Sequence, residues 1–259
     1  MSDGLVAKDL AAGYASTPEI NGVDLEVGPG SPPTGIIGRS GIGKTTLLQT
    51  LVGEIPVRSG LVTWAGHDIS KFRFGTKKRY QAAVRLVRQG LSGGADPQAK
   101  VSSVVANAIR NGRRAGRASG DTAESLLDSV LLPTHLLGRV VQTLSGGERQ
   151  RLALALAFAT KPDVLLLDEP FTALDPQLRE EVLQRVKQEV ADRNIGLLVA
   201  THDVKTLMQL CTHLRVLDEG TFVQSGPIKQ VLDWPKHPIT REFADSLKES
   251  YGLGAHLGN

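Results

Sequence analysis

The chain has 259 residues, 41% hydrophobic and 22% charged, with a formal net charge of +3. That balance is ordinary for a soluble globular protein with a sizeable core; it argues against bulk disorder and does not by itself argue for a nucleic-acid binder. A single cysteine, Cys211, excludes an intrachain disulfide and a cysteine-rich metal site, and fits a reducing cytoplasm.

The opening "MSDGLVAKDLAAGY" lacks the basic and apolar regions of a secretory signal. Short β-like runs follow, among them "GVDLEV", before the turn-rich "GPGSPPTG". "TGIIG" predicts a buried strand that enters a glycine loop, then a helix from Lys44 to about Val52. "SGLVTWAGHDI" predicts two strands around an Ala-Gly turn, and "YQAAVRLVRQ" closes a helix or linker with another strand. From Asp96 to about Leu137 the pattern is helical, with Asp96-Pro97 predicted to start a helix. "PDVLLLDEP" and "IGLLVATHD" predict core strands on either side of the amphipathic helix "PQLREEVLQRVKQEVADRN". "EGTFVQSGP" predicts a terminal hairpin running into a short helix. Strand–helix alternation indicates an α/β fold carrying the helical stretch as an inserted subdomain. The apolar runs "LALALAFA" (152–159) and "VLLL" (164–167) fall far short of the ~20 residues that span a bilayer.

"GRSGIGKTT" matches the phosphate-loop pattern through Gly38, Gly43, Lys44 and Thr45, with Ser40, Gly41 and Thr46 completing the cradle. Glycines let successive backbone N–H groups face phosphates, lysine reaches the β- and γ-phosphates, threonine offers a hydroxyl to Mg²⁺, and the helix N-terminus adds its positive end. "VLLLDEP" places Asp168 and Glu169 at the carboxyl end of a buried strand, where ligands of open α/β sheets sit. Asp168 would hold Mg²⁺, leaving Glu169 to polarise an attacking water as general base.

The string LSGG occurs twice, at 91–94 and at 144–147. The second copy runs into Glu148, and Ser145 with Glu148 forms a capping-box pattern opening an apolar helix, a ready anion site made by Ser145, Gly146 and Gly147. The first has Ala95 in place of the glutamate and reads as a glycine-rich loop.

Taken in order, "GRSGIGKTT", "LSGGERQR", "KPDVLLLDEP", "TALD" and "THD" resemble the nucleotide-binding subunit of an ABC transporter, from about residue 5 to 226. The resemblance implies a phosphate-loop NTPase (RecA-like) core of ABC type, an N-terminal antiparallel β subdomain and an inserted helical subdomain. It implies that two such subunits pair head to tail, so that Ser145 of one closes on the γ-phosphate held by the other. By the same resemblance, Gln89 senses Mg²⁺ and the γ-phosphate, and Asp175 contacts the opposite subunit. His202 contacts the γ-phosphate and Tyr14 stacks on adenine. ATP and Mg²⁺ are the implied ligands.

The sequence departs from the family at Arg88, where an aromatic is common, at Leu156, where an arginine is usual, and at "GPGSPPTG". Basic residues concentrate in "KFRFGTKKRYQAAVRLVR" and in "RNGRRAGR" (110–117), read as a solvated face, with contact to a membrane partner or lipid surface as the sharper alternative. "WPKHPITREFADSL" resembles the tail of peptide and nickel importer subunits, with Ile239 in an aromatic place.

The expected organisation is an ABC ATPase domain over 1–235, with its helical insert at about 90–144, and a tail over 236–259. The expected function is ATP hydrolysis that energises transport, import rather than export, through a separate transmembrane permease. A second ATPase chain and an extracytoplasmic solute-binding protein complete the expected assembly, at the cytoplasmic face of the membrane and without nucleic acid. Two alternatives stay open: an ABC ATPase that moves no solute, as in iron–sulfur assembly or nucleic-acid maintenance, and a nucleotide-binding module without turnover.

Overall fold

The chain opens as two antiparallel strands, β1 (Leu5–Ala12) and β2 (Ile20–Val27), and β2 alternates buried and exposed positions from Val23 to Val27. The computed structural model describes residues 4–14, 19–88, 96–118 and 120–250. After β2 come β3 (Thr34–Ile37), α1 (Lys44–Leu51), β4 (Ser59–Trp64), β5 (His67–Asp68), α2 (Phe74–Ala83) and β6 (Val84–Val87). A helical stretch supplies α3 (Val101–Arg114), α4 (Ala123–Asp128) and α5 (Gly146–Phe158). The remainder is β7 (Val164–Asp168), α6 (Pro176–Asp192), β8 (Gly196–Ala200), α7 (Val204–Leu210), β9 (His213–Asp218), β10 (Thr221–Pro227), α8 (Ile228–Asp233) and α9 (Pro238–Ser250).

Two sheets form. The smaller is antiparallel, in the order β2-β1-β4-β5. The larger has the order β10-β9-β3-β8-β7-β6, parallel throughout except for the β9–β10 hairpin. Strands β3, β7 and β8 are buried at every position, as parallel strands covered on both faces must be. The pleat divides their side chains between two cores. Leu165, Leu167, Leu197 and Val199 face the helices α3 to α9. Val164, Leu166, Leu198 and Ala200 face α1 and the small sheet. Helix α1 is therefore clamped between the two sheets through Leu47, Leu48 and Leu51, which fixes the loop that precedes it.

The helical insert begins later than its sequence suggests. Asp96-Pro97 makes a turn, with the Asp96 carboxylate accepting from Gln98 N at 2.9 Å, and α3 starts only at Val101. The reason is non-local. Ala99 O accepts from Val141 N, Val101 N donates to Arg139 O, and Lys100 bridges Val140, so this backbone is committed across the chain before it can turn helical. Within the basic run 110–117, Arg117 is a structural residue and not part of a solvated face. It pairs with Asp163 and donates through Nε to Lys161 O at 2.8 Å, tying the insert to the start of β7. Helix α9 packs on the larger core through Ile239 and Ala244. No helix among the described residues is long and apolar enough to cross a membrane.

The turn "GPGSPPTG" has a packing reason for its first glycine. A Cβ at Gly196 would lie 2.6 Å from the Gly28 backbone, and a Cβ at Gly28 would lie 2.7 Å from Gly4 Cα. Backbone on backbone brings the end of the small sheet against the start of β8. Gly196→Ala should lower stability by about 1–3 kcal/mol, the usual effect of overpacking a site that cannot yield; a denaturant titration with an unchanged midpoint would contradict this packing.

Candidate active site

The phosphate-loop residues lie where the buried strand β3 delivers them to the N-terminus of α1. The turn depends on glycine: Gly41 and Gly43 have φ of 77° and 105°, and a Cβ at Gly38 would sit 2.6 Å from Leu217 O. Lys44 is buried and folds back into the loop, donating to Gly38 O at 2.6 Å and Arg39 O at 3.0 Å. Burial pushes its pKa down, opposed by the nearby Glu169 and Asp168 carboxylates. Thr45 Oγ1 donates to Asp168 Oδ2 at 2.8 Å, linking α1 to the end of β7. Burial pushes the Asp168 carboxyl up, and the Thr45 hydrogen bond works in the opposite direction.

Glu169 is a residue at which backbone strain is concentrated. Its φ is 47°, a left-handed conformation that disfavours a side chain. Neighbours hold it from three directions. Its N–H donates to Ala200 O at 2.9 Å. Its carbonyl accepts from Gln150 Nε2 at 3.2 Å and Thr172 Oγ1 at 3.3 Å. Its carboxylate accepts from Thr201 Oγ1 at 2.8 Å and His202 N at 3.1 Å, and lies 2.8 Å from His202 Nδ1. Gln150, buried on α5, also accepts from Ala173 N at 3.1 Å, so one amide clamps both ends of the segment after β7.

Ser40, Gly41, Gly43, Lys44, Thr45, Thr46, Asp168, Glu169 and His202 therefore converge on one cavity of about 250 Å³, together with Glu19. Tyr14 stands outside it, 68% exposed, with its hydroxyl donating to Gln49 Oε1 at 2.7 Å. Ser145, Gly146, Gly147 and Asp175 do not line it. Ser145 caps α5: its Oγ accepts from Glu148 N at 3.2 Å and its N–H donates to Glu148 Oε2 at 2.7 Å. That backbone hydrogen bond is the main cause holding the Glu148 carboxyl below its ordinary value. Asp175 is exposed and caps α6 through Leu178 N at 3.0 Å. Gln89 and the first LSGG, at 91–94, lie outside the described residues.

Sequence reasoning missed Glu19, Gln150, Thr172 and Thr201. None of the four left a distinctive local signal; Gln150 sits in the polar run from Glu148 to Arg151 that opens α5.

A model of the family described as "ABC transporter" matches residues 20–172. The chain belongs to the ABC transporter family. The oligopeptide transport ATP-binding protein OppF of Lactococcus lactis is 30% identical over 229 residues, covering 88% of this chain and 72% of the relative. The thiamine import ATP-binding protein ThiQ of Vibrio vulnificus is 34% identical over 227 residues, covering 85% of this chain and 90% of the relative. Among solved structures, cbiO1 from Clostridium perfringens, described as part of the ABC transporter complex cbiONQ, has a TM-score of 0.75 at 24% identity, over 98% of this chain and 99% of that one. The ABC transporter cassette MJ0796, solved as a dimer, has a TM-score of 0.73 at 19% identity, over 86% and 98%. These likenesses make the fold that of an ABC cassette, and membership of the family makes the chain an ATPase.

The buried acid offers a test of the electrostatics. With its pKa raised, Asp168 binds a proton more tightly in the folded than in the unfolded chain, so its contribution to stability is best at acid pH. That contribution falls as pH rises through the raised value. Asp168→Asn should raise the nucleotide-free Tm at neutral pH by about 2–4 °C, the shift for roughly 1 kcal/mol in a chain of this size. The difference should shrink on acidification; a lower Tm at neutral pH would contradict it.

Proposed function

We propose that this chain is the ATP-hydrolysing subunit of an importer, energising solute passage through a separate transmembrane permease. The observation that carries the reading is the convergence of Lys44, Thr45 and Asp168 on a carboxylate, Glu169, held by Thr201 and His202. The relatives support import. OppF is an oligopeptide transport protein, and the 32% identical MetN 1 of Pseudomonas fluorescens and ThiQ are named as methionine and thiamine import proteins.

In this reading the triphosphate lies over the loop from Gly38 to Thr46, and Lys44 exchanges its carbonyl partners for the β- and γ-phosphate oxygens. Thr45 and Asp168 suit Mg²⁺, for both offer hard oxygens, they already touch, and a cation relieves a carboxylate that burial disfavours. When bound, that ion neutralises charge on the phosphates. Glu169 orients the attacking water and takes its proton, and His202, fixed by its Nδ1 contact, meets the γ-phosphate. Gln89 completes this set.

Ser145 does not line its own chain's cavity and sits on an exposed, capped helix end. It serves the site of a second ATPase chain, and Asp175 contributes to the same interface. Tyr14 stacks on the adenine.

Between residues 69 and 120 the sequence has twelve Lys and Arg against the single acid Asp96. Of these, Arg110, Arg113 and Arg114 are exposed on α3. This basic face is assigned to the membrane side, at the cytoplasmic surface, where the permease and an extracytoplasmic solute-binding protein complete the importer. The ATPase core is assigned to 1–235, with its helical insert at about 90–144 and the tail beyond 236.

Purification of the tagged chain from detergent-solubilised membranes of its own cells tests the assignment. A stoichiometric multi-span membrane protein is the expected companion. A soluble assembly protein or nucleic acid in its place would move the chain to the ABC ATPases that transport nothing.

A further inference from the structure

The nucleotide cavity contains one acidic group that the chemistry above does not use. Glu19 lies at the edge of β2 and accepts a hydrogen bond from the hydroxyl of Thr46, in the first turn of α1. Its backbone is pinned: Glu19 N donates to Ala12 O at 2.9 Å. A Cβ at Gly43 would lie 3.2 Å from its carbonyl oxygen, and one at Gly220 would lie 2.7 Å from it. The side chain is thus directed at α1 by contacts from three parts of the fold.

Thr46 and Gln49 are three residues apart and share a face of α1. Thr46 is engaged by Glu19 and Gln49 by the Tyr14 hydroxyl at 2.7 Å. The carboxylate therefore stands between the phosphate-binding N-terminus of α1 and the exposed ring of Tyr14. A nucleotide with its phosphates on the loop and its base at Tyr14 must carry its sugar across this point.

From this placement we infer that Glu19 is a specificity residue that reads the ribose hydroxyls of the bound nucleotide. The inference rests on the nucleotide reading of the cavity given above. An ionised carboxylate only accepts hydrogen bonds, and beside an α-phosphate it needs donors to offset like-charge repulsion. The vicinal 2′ and 3′ hydroxyls supply two donors, the pairing by which an acidic residue holds ribose in dinucleotide-binding folds. The Thr46 hydroxyl holds the carboxylate until the sugar arrives, and is then released to the phosphates.

Isothermal titration with ATP, 2′,3′-dideoxy-ATP and GTP, on the full chain with magnesium and at a temperature where turnover is negligible, tests this. The wild type should prefer ATP to dideoxy-ATP by about tenfold, the effect of a hydrogen bond to a charged group. Glu19→Ala should bring that ratio to about one, chiefly by weakening ATP, and Glu19→Gln should fall between. The ratio of ATP to GTP should be unchanged. Glu19 is exposed, so both variants should fold, which their Tm will verify. An unchanged ATP to dideoxy-ATP ratio in Glu19→Ala overturns the inference, as does a change in the GTP ratio alone, which would make Glu19 a base reader. If the wild type binds no nucleotide, the reading of the cavity itself fails, and this inference with it.

Discussion

The left-handed turn at Glu169 is the constraint on which the rest of the site depends. A glutamate at φ 47° persists only when its surroundings over-determine it, and here five groups do so: Ala200 O, Thr201, His202, Gln150 and Thr172. They come from three parts of the fold. Ala200 ends β8 with Thr201 and His202 directly after it, Gln150 belongs to the helix opened by Ser145, and Thr172 lies in the loop towards Asp175. Glycine would adopt this backbone more readily but would bring no carboxylate.

In the proposed dimer, the same turn would couple one chain to two sites. Gln150 lies five residues along α5 from Ser145 and hydrogen-bonds the Glu169 peptide directly. An event at the Ser145 helix end, proposed to meet a partner chain, would thereby reach the carboxylate beside the chain's own phosphate loop. Burial sharpens the arrangement. Lys44 and Asp168 are both shifted towards their neutral forms by desolvation, a stored electrostatic tension that the phosphates and a cation are suited to release.

Much of this is legible in the sequence because it is local. The phosphate-loop glycines, the Ser145–Glu148 capping box and the polar end of an apolar strand are each set within a few residues. What was not legible is what the fold brings together from a distance. Thr201 and Gln150 become partners of Glu169 only once β7, β8 and α5 are adjacent, and Glu19 meets Thr46 only when the two sheets close on α1. Asp96-Pro97 has the chemistry of a helix start, yet pairing of 99–101 with 139–141 overrides it. Arg117 sits in a run that reads as solvated charge, and its ion pair with Asp163 crosses 46 positions of sequence.

In the proposed reading the strained carboxylate performs the chemistry and does not merely brace the site. Single-turnover release of γ-phosphate by the wild type and by Glu169→Gln, with ATP affinity measured in parallel, tests it most directly. ATP binding should be retained within about twofold, release slowed by about 100-fold or more, and an ATP-bound dimer should accumulate. Brisk release by Glu169→Gln would contradict it.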